Sequence, residues 1–365
     1  MAKIDAGELL SMLGAVDAVT VIDVRAPDEF ADWSIPGARN IPVDQIEARL
    51  GEVPTEDVVV LVCAVGSRAE QAQEVLASHG VMSNVLTGGM AAWGRSYDEV
   101  ALVAGDVAIV QIRRRGKGCL SYVVGSQKTC VVIDPSTDIE RPIAVARARG
   151  WRITHVADTH LHADHVSGAR LLAEATGAEL ILSDNDAYAF EVNPIPESQT
   201  IPLGATRSLD VEVVPTPGHT TGSLMFVLDD LALFTGDTLF VESVGRPDLT
   251  DKAEEFADDL YRSLHEKILA HPDETLVLPA HFGPGVTVTE DELVGATLGE
   301  LRSHLAALSL PEAAFVAWAS ANMPTRPPNY IEIVRANQGL VELTTEEIRA
   351  LELGPNRCAV SAPVD

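Results

Sequence analysis

Two rhythms of apolar and polar positions divide the chain. Over the first hundred residues, short apolar runs alternate with helical spacing. Residues 19–24 form a brief apolar run that takes in Asp23 and stops before Arg25. Val58–Val62 is unbroken and almost entirely valine, the mark of a strand buried on both faces of a parallel sheet. Residues 69–79 carry apolar side chains at helical intervals and stop at Gly80. Residues 81–86 read as another strand, closed by Gly88-Gly89. The alternation predicts an α/β unit over 1–100, a parallel sheet with helices on both faces.

Residues 94–106 mark a boundary, and a second pattern fills 101–365. Residues 120–124 and 130–133 read as two strands joined by a Gly-Ser turn, a hairpin signal. Residues 143–149 have helical spacing. Further strands end near Asp158, Pro215, Phe234 and Leu278, and each is closely followed by His or Asp. No window approaches the roughly 18 consecutive apolar residues of a membrane span.

Charge narrows the partners. With 26 Lys plus Arg against 54 Asp plus Glu, the net charge is −28. Such a surface repels phosphate, whose neutralisation supplies most non-specific nucleic-acid affinity, so neither nucleic acid nor an anionic membrane is expected as a partner. Four scattered cysteines do not form a disulfide framework, and the start of the chain runs into an acidic amphipathic stretch. Both predict a reducing cytoplasm.

One cysteine stands apart. The strand at 58–62 delivers Cys63, then Ala64-Val65-Gly66-Ser67-Arg68, then a helix. A lone strand-end cysteine is ordinarily structural. Here the loop places the sulfur among backbone N–H groups at the positive end of a helix, which favours thiolate and nearby anions. Gly66 permits the tight loop and Arg68 adds a cation. Residues 20–93 resemble a rhodanese sulfurtransferase domain through Val21-Ile22-Asp23-Val24-Arg25, Ile35-Pro36-Gly37-Ala38, the Cys63–Arg68 loop and Thr87-Gly88-Gly89-Met90-Ala91-Ala92-Trp93. The resemblance implies that Cys63 carries a persulfide sulfur to a thiol or to sulfite. Asp23 and Arg25 read as structural.

The second constellation is denser. Thr159-His160-Leu161-His162-Ala163-Asp164-His165 is joined by His219, Asp237 and His281. Alternate residues of an extended segment share a face, so His160 and His162 can converge on one ion. Five of the ten histidines lie here. Residues 107–290 resemble the metallo-β-lactamase fold, an αββα sandwich with its metal at one edge of the two sheets. That fold hosts several chemistries, so activity must come from the site.

Two enzyme classes compete. In a thioester hydrolase resembling glyoxalase II, all seven positions bind two zinc ions, with His162, Asp164, His165 and His281 completing the second site. In a persulfide dioxygenase, only His160, His219 and Asp237 bind one Fe(II), and those four residues orient the ligands. Three features favour the dioxygenase. Gly245-Arg246-Pro247-Asp248-Leu249 resembles its Gly-Arg-x-Asp segment, implying that Arg246 and Asp248 contact the thiol carrier. The endings around residues 323–331 and 354–359 resemble those of dioxygenase-like members. The fused sulfurtransferase handles the same sulfane sulfur. The implied partners are a low-molecular-weight thiol persulfide, O₂, and sulfite or thiosulfate, and the fold admits a homodimer. After His281 the chain reads Phe282-Gly283-Pro284-Gly285, without the tyrosine that holds glutathione in the family. The carrier is therefore open between glutathione and another thiol. A sulfide or redox sensor is the non-enzymatic alternative. The basic run at 113–117 reads as a solvated hairpin turn, with a docking site for an anionic thiol carrier as the sharper alternative, and Cys119, Cys130 and Cys358 read as structural residues.

Overall fold

The computed structural model describes residues 2–14, 19–196, 199–203, 209–247, 253–283, 285–286, 288, 292–323, 325–326 and 329–360. Asp248 and Leu249, and Pro324, Pro327 and Pro328 of the C-terminal motif, lie outside them. The chain divides into two compact units, Met1–Asp98 with Arg114–Gly118 and Leu353–Pro355, and Glu99–Arg113 with Cys119–Glu352 and Asn356–Asp365.

The first unit is built on a five-stranded parallel sheet. Its strands are β1 (Ala2–Ile4), β2 (Val19–Asp23), β3 (Arg39–Asn40), β4 (Val58–Val62) and β5 (Asn84–Leu86), in the order β1-β5-β4-β2-β3. Alternation explains why β4 is apolar throughout. Val59 and Leu61 enter one core with Ala69, Ala72 and Leu76 of the following helix, Ser67–Ser78. Val60 and Val62 enter the opposite core with Leu9, Met90 and Trp93. Packing on both faces thus buries residues 59–62, and only Val58 at the start of the strand is exposed.

The second unit has two six-stranded sheets. One runs in space as Glu179–Ile181, Arg152–Ala157, Thr129–Ile133, Cys119–Ser126, Val107–Arg114 and Tyr97–Ala104. The expected hairpin is the antiparallel pair Cys119–Ser126 and Thr129–Ile133. The other sheet runs as Thr200–Leu203, Leu209–Pro215, Leu224–Leu228, Ala232–Gly236, Leu276–Pro279 and Ala296–Thr297. Leu224, Phe226 and Leu228 point into the core between the sheets, against Tyr122, Val124 and Val131. Met225 and Val227 face helices through Leu260, Leu264 and Phe315. Helices Glu140–Arg149 and Ala169–Thr176 pack on the first sheet. The result is the αββα sandwich. Among the described residues, no helix is long and apolar enough to cross a membrane.

The basic run departs from its sequence reading. Arg113 and Lys117 are buried, not solvated. Arg113 Nη1 donates to the Glu292 carbonyl at 2.9 Å. Arg114 Nε donates to the Gly94 carbonyl at 2.7 Å, and Arg115 pairs with Asp98 at 2.7 Å. Backbone carbonyls and one carboxylate satisfy these cations inside the protein, so the run is not a solvated turn. Gly116 has a steric role, because a Cβ there would lie 2.2 Å from the Trp93 carbonyl oxygen.

Candidate metal centre and sulfur-carrier loop

In the first unit, β4 ends at Cys63 and the chain turns through Gly66, at φ +125°, into the helix Ser67–Ser78. The turn aims the Gly66 N–H at Cys63 Sγ, 3.1 Å away. The N–H groups of Met90 and Ala91 donate to the carbonyls of Cys63 and Ala64. That approach requires Gly89, where a Cβ would lie 2.1 Å from the Cys63 oxygen. The loop is therefore braced from behind, with a backbone donor directed at the sulfur. Asp23 and Arg25 form a buried bidentate pair, with Arg25 Nη2 to Asp23 Oδ2 at 2.7 Å. Arg25 also donates to the Trp33 carbonyl, which ties the strand end to its neighbours.

Arg68 is held away from a purely cationic role. Its two terminal nitrogens grip Glu29 at 2.6 and 2.8 Å. That hydrogen-bonded partner lowers the Glu29 carboxyl to about 2. A depressed folded value means the pair contributes above the ordinary carboxylate range and is lost as pH falls toward about 2, so it stands at neutral pH. Replacing Glu29 with Gln is expected to free the Arg68 charge and raise kcat/KM for the thiosulfate dianion several-fold. Folding stability should change by less than about 1 kcal/mol, as for a half-exposed pair. Thiosulfate–cyanide assays with parallel urea melts check this, and unchanged or reduced thiosulfate use would refute it.

In the second unit, strand ends converge, but His160 and His162 do not share one ligand group as expected: His160 faces His219 and Asp237, and His162 turns to Asp134 and Asp158. His160 and His162 follow the strand Arg152–Ala157, His219 follows Leu209–Pro215, Asp237 follows Ala232–Gly236 and His281 follows Leu276–Pro279. All are buried. Nε2 of His160 and of His219 lie 3.5 and 3.4 Å from Asp237 Oδ2. None of these three atoms has a hydrogen-bond partner.

Their distal atoms are fixed. Asp134 accepts from the Thr159 amide at 2.7 Å and from its hydroxyl at 3.0 Å. With its proton spent on Asp134, the hydroxyl must accept from His160 Nδ1, 2.9 Å away. His219 Nδ1 lies 2.9 Å from the Arg246 carbonyl, which can only accept. Both imidazoles therefore carry their proton on Nδ1 and present a bare Nε2. Burial lowers both below the ordinary imidazole value, keeping them neutral. Asp237 is steered through Oδ1, which takes His281 Nδ1 at 2.6 Å. Against burial, His281 and His160 hold its carboxyl well below the usual range. Two neutral imidazoles and one carboxylate, unpartnered and convergent, match the donor set of a divalent metal.

The remaining positions largely satisfy one another. Asp164 Oδ1 meets His165 Nδ1 at 3.0 Å, and Asp164 Oδ2 lies 2.9 Å from His281 Nε2, out of line for a hydrogen bond. Against burial, Asp164 raises both imidazoles well above their ordinary value. His162 Nε2 faces Asp134 at 3.1 Å and Asp158 at 3.9 Å, a separate group, while its Nδ1 is unpartnered. Cys119 is buried as expected but is more than packing, since its Sγ lies 3.4 Å from Asp164. Cys130 sits in the strand core, where burial pushes its thiol up to about 12. Cys358 Sγ lies close to Asp237 and His281, and its carbonyl accepts the Arg246 amide. Arg246 is itself buried, with Nη1 on the Arg357 carbonyl at 3.0 Å.

Sequence reading missed several supports. Asp134 binds both Thr159 and His162, and its only signal is an aspartate between an apolar strand and a proline. Asn337 donates to the carbonyls of His162 and His165 from a distant helix. Gly245 is equally constrained. A Cβ there would meet the Asp237 oxygen at 1.8 Å and the His219 Cβ at 3.2 Å. Gly245→Ala is expected to lower metal affinity by about 10- to 100-fold by displacing both ligands. Metal retained after dialysis against a chelator series measures this, and wild-type retention would contradict it.

Residues 114–281 match the Metallo-beta-lactamase superfamily model, and residues 5–96 the Rhodanese-like domain. The mitochondrial persulfide dioxygenase ETHE1 of Bos taurus is 34% identical over 182 residues, 48% of this chain and 69% of that protein. The hydroxyacylglutathione hydrolase of Rhodospirillum rubrum is 36% identical over 165 residues, 44% of this chain and 60% of that protein. The crystal structure of ETHE1 from Myxococcus xanthus aligns with a TM-score of 0.54 at 28% identity, covering 67% of this chain and 99% of that one. Fold and site thus define a metallo-β-lactamase-superfamily unit joined to a rhodanese-like domain. Within that superfamily, the chain belongs to the family of the ETHE1 persulfide dioxygenases.

Proposed function

We propose that the second unit oxidises a low-molecular-weight thiol persulfide with O₂, and that the first moves sulfane sulfur through a persulfide on Cys63. The reaction balances as persulfide, O₂ and one water giving the free thiol, sulfite and two protons. One observation carries the reading. His160 Nε2, His219 Nε2 and Asp237 Oδ2 converge without partners, while Asp164 and His165 are paired with each other and His281 is committed to Asp237. That pattern supports one ion at the first cluster; in the second, Asp164 pairs with His165 while His281 Nε2 keeps no hydrogen-bond partner. Fe(II), when bound there, supplies the redox capacity and open positions for persulfide and O₂.

The chain's own residues do the rest. Thr159 and the Arg246 carbonyl fix the imidazole tautomers, and His281 aims Asp237. His162, Asp164 and His165 maintain the cage around them. The contact with the thiol carrier implied for Arg246 is indirect. Its side chain anchors the Arg357 carbonyl, holding segment 356–360 in place. Asp248, outside the described residues, is proposed to contact the thiol carrier. Sulfur transfer by Cys63 would supply the persulfide or consume the sulfite, in a reducing cytoplasm where thiols stay free. The rival is dizinc thioester hydrolysis, which the hydrolase relatives and the second His/Asp group of Asp164, His165 and His281 favour. Metal content with oxygen uptake separates the two. One iron per chain and O₂ consumption with a persulfide support the proposal. Two zincs and thioester cleavage without O₂ uptake would overturn it.

A further inference from the structure

The loops that carry His160 and His219 leave strands of different sheets. A metal held by both imidazoles depends on how those two loops are spaced. On one side of His160, the Thr159 carbonyl accepts the Leu224 N–H at 2.7 Å, just past the His219 turn. A single tie of that kind leaves a pivot. The other side of His160 needs a second.

Asp186 supplies it from a third segment. It follows the edge strand Glu179–Ile181, in a turn where its own N–H donates to the Ser183 carbonyl at 3.2 Å. The residue is buried. Its Oδ2 accepts the Leu161 N–H at 2.9 Å, next to His160. Its Oδ1 accepts the Gly222 N–H at 3.0 Å, in the turn that carries His219. Thr220 Oγ1, adjacent to His219, donates to Oδ2 at 3.4 Å. That turn is closed on itself, because the Thr216 N–H meets the Ser223 carbonyl at 2.7 Å and the Thr220 N–H meets Ser223 Oγ at 3.0 Å. Only glycine at 222 lets the carboxylate come so near, since a Cβ there would lie 2.4 Å from Asp186 Cγ. A buried carboxylate must have its oxygens satisfied, and here one oxygen is committed to each loop. Its partners are two backbone amides and one hydroxyl, so it acts on the imidazoles through their loops.

We propose that Asp186 is a positioning residue of the metal centre: its carboxylate fixes the separation of the loops carrying His160 and His219, and so the geometry in which their Nε2 atoms meet the ion. The role rests on the trio proposed above, His160, His219 and Asp237, but not on the identity of the ion.

Cobalt(II) is the probe, because its visible absorption reports ligand geometry and its affinity is measured without turnover. Asp186→Asn keeps the size of the side chain and removes one acceptor. Whichever way the amide turns, its NH₂ group faces the N–H of one loop, and that loop is released. In the full chain, D186N is expected to bind Co(II) about 10- to 100-fold more weakly, the usual loss for an orienting partner. At saturating cobalt its visible band should also shift. A residue that merely stabilised the fold would lower affinity or melting temperature and leave the band of the filled protein in place. Gly222→Ala keeps the carboxylate but pushes it aside, and should shift the band as well. An unchanged band in both variants overturns the assignment, whatever happens to affinity. The unmodified protein gives a check that needs no variant. The amide protons of Leu161 and Gly222 should exchange slowly with solvent, and unprotected exchange at either one would overturn the brace. Asp237→Asn separates the two readings. If D237N binds cobalt as well as the unmodified chain, the trio is wrong and both readings fall. If D237N loses cobalt while D186N keeps its affinity and its band, the trio stands and the role of Asp186 falls.

Discussion

Asp237→Asn is expected to reduce iron affinity by on the order of 10³-fold and to abolish oxygen uptake, while leaving the metal-free fold intact. The size follows from the environment. Asp237 is the negative charge of the convergent trio and is fully buried. Removing one partner from a buried charged set costs about 3–5 kcal/mol, because the opposing charge is left uncompensated. The fold survives because the Asn oxygen can still accept from His281 Nδ1, which sits 2.6 Å from Oδ1. Iron and zinc per chain after dialysis, oxygen uptake with a persulfide and a thermal melt of the metal-free protein measure the three parts.

A paired variant makes the result diagnostic. His281→Asn removes a residue that, in the proposed site, only aims Asp237. It should weaken iron binding by about 10- to 100-fold, the usual loss for an orienting partner, and leave the stoichiometry at one. In a dizinc site, His281 is itself a ligand, and its loss would drop the content from two ions to one. If the unmodified protein holds two ions and H281N holds one, the single-iron reading fails.

How much of this was legible in the sequence depends on range. The strand ends and their histidines were readable because each pairs an apolar run with a ligand type a few residues later. The two-domain order was readable because the apolar rhythm changes near residue 100. The supports were not. Asn337 braces His162 and His165 across more than 170 positions, and no local pattern announces that a helical asparagine faces a metal loop. Asp134 adopts φ +52° to reach Thr159, and a strand-ending aspartate looks like any turn residue. The basic run misled for the opposite reason. Local composition suggested water, but tertiary carbonyls satisfied the cations. Cys119 was read as packing because a strand pattern does not say which sulfur ends beside a buried carboxylate.

Cys63→Ser is expected to remove sulfur transfer by about 10³-fold or more, the scale of losing a covalent nucleophile, and to leave oxygen uptake within about twofold. Serine fits the space, since the change is one chalcogen, and the Gly66 N–H aimed at Sγ can meet a hydroxyl. What it lacks is the chemistry. An alkoxide is far harder to form than a thiolate, and oxygen does not hold a sulfane sulfur as a persulfide does. The loop itself should not collapse, because Met90 and Ala91 brace it through backbone carbonyls that the substitution leaves untouched. Thiosulfate–cyanide transfer, detection of persulfide on the intact chain by mass, and oxygen uptake form the test. Surviving transfer would remove Cys63 as the carrier. Loss of both activities would mean that the metal unit draws its persulfide through Cys63 even when substrate is supplied in solution. The predicted split, transfer gone and oxidation kept, separates two chemistries that one sulfur connects.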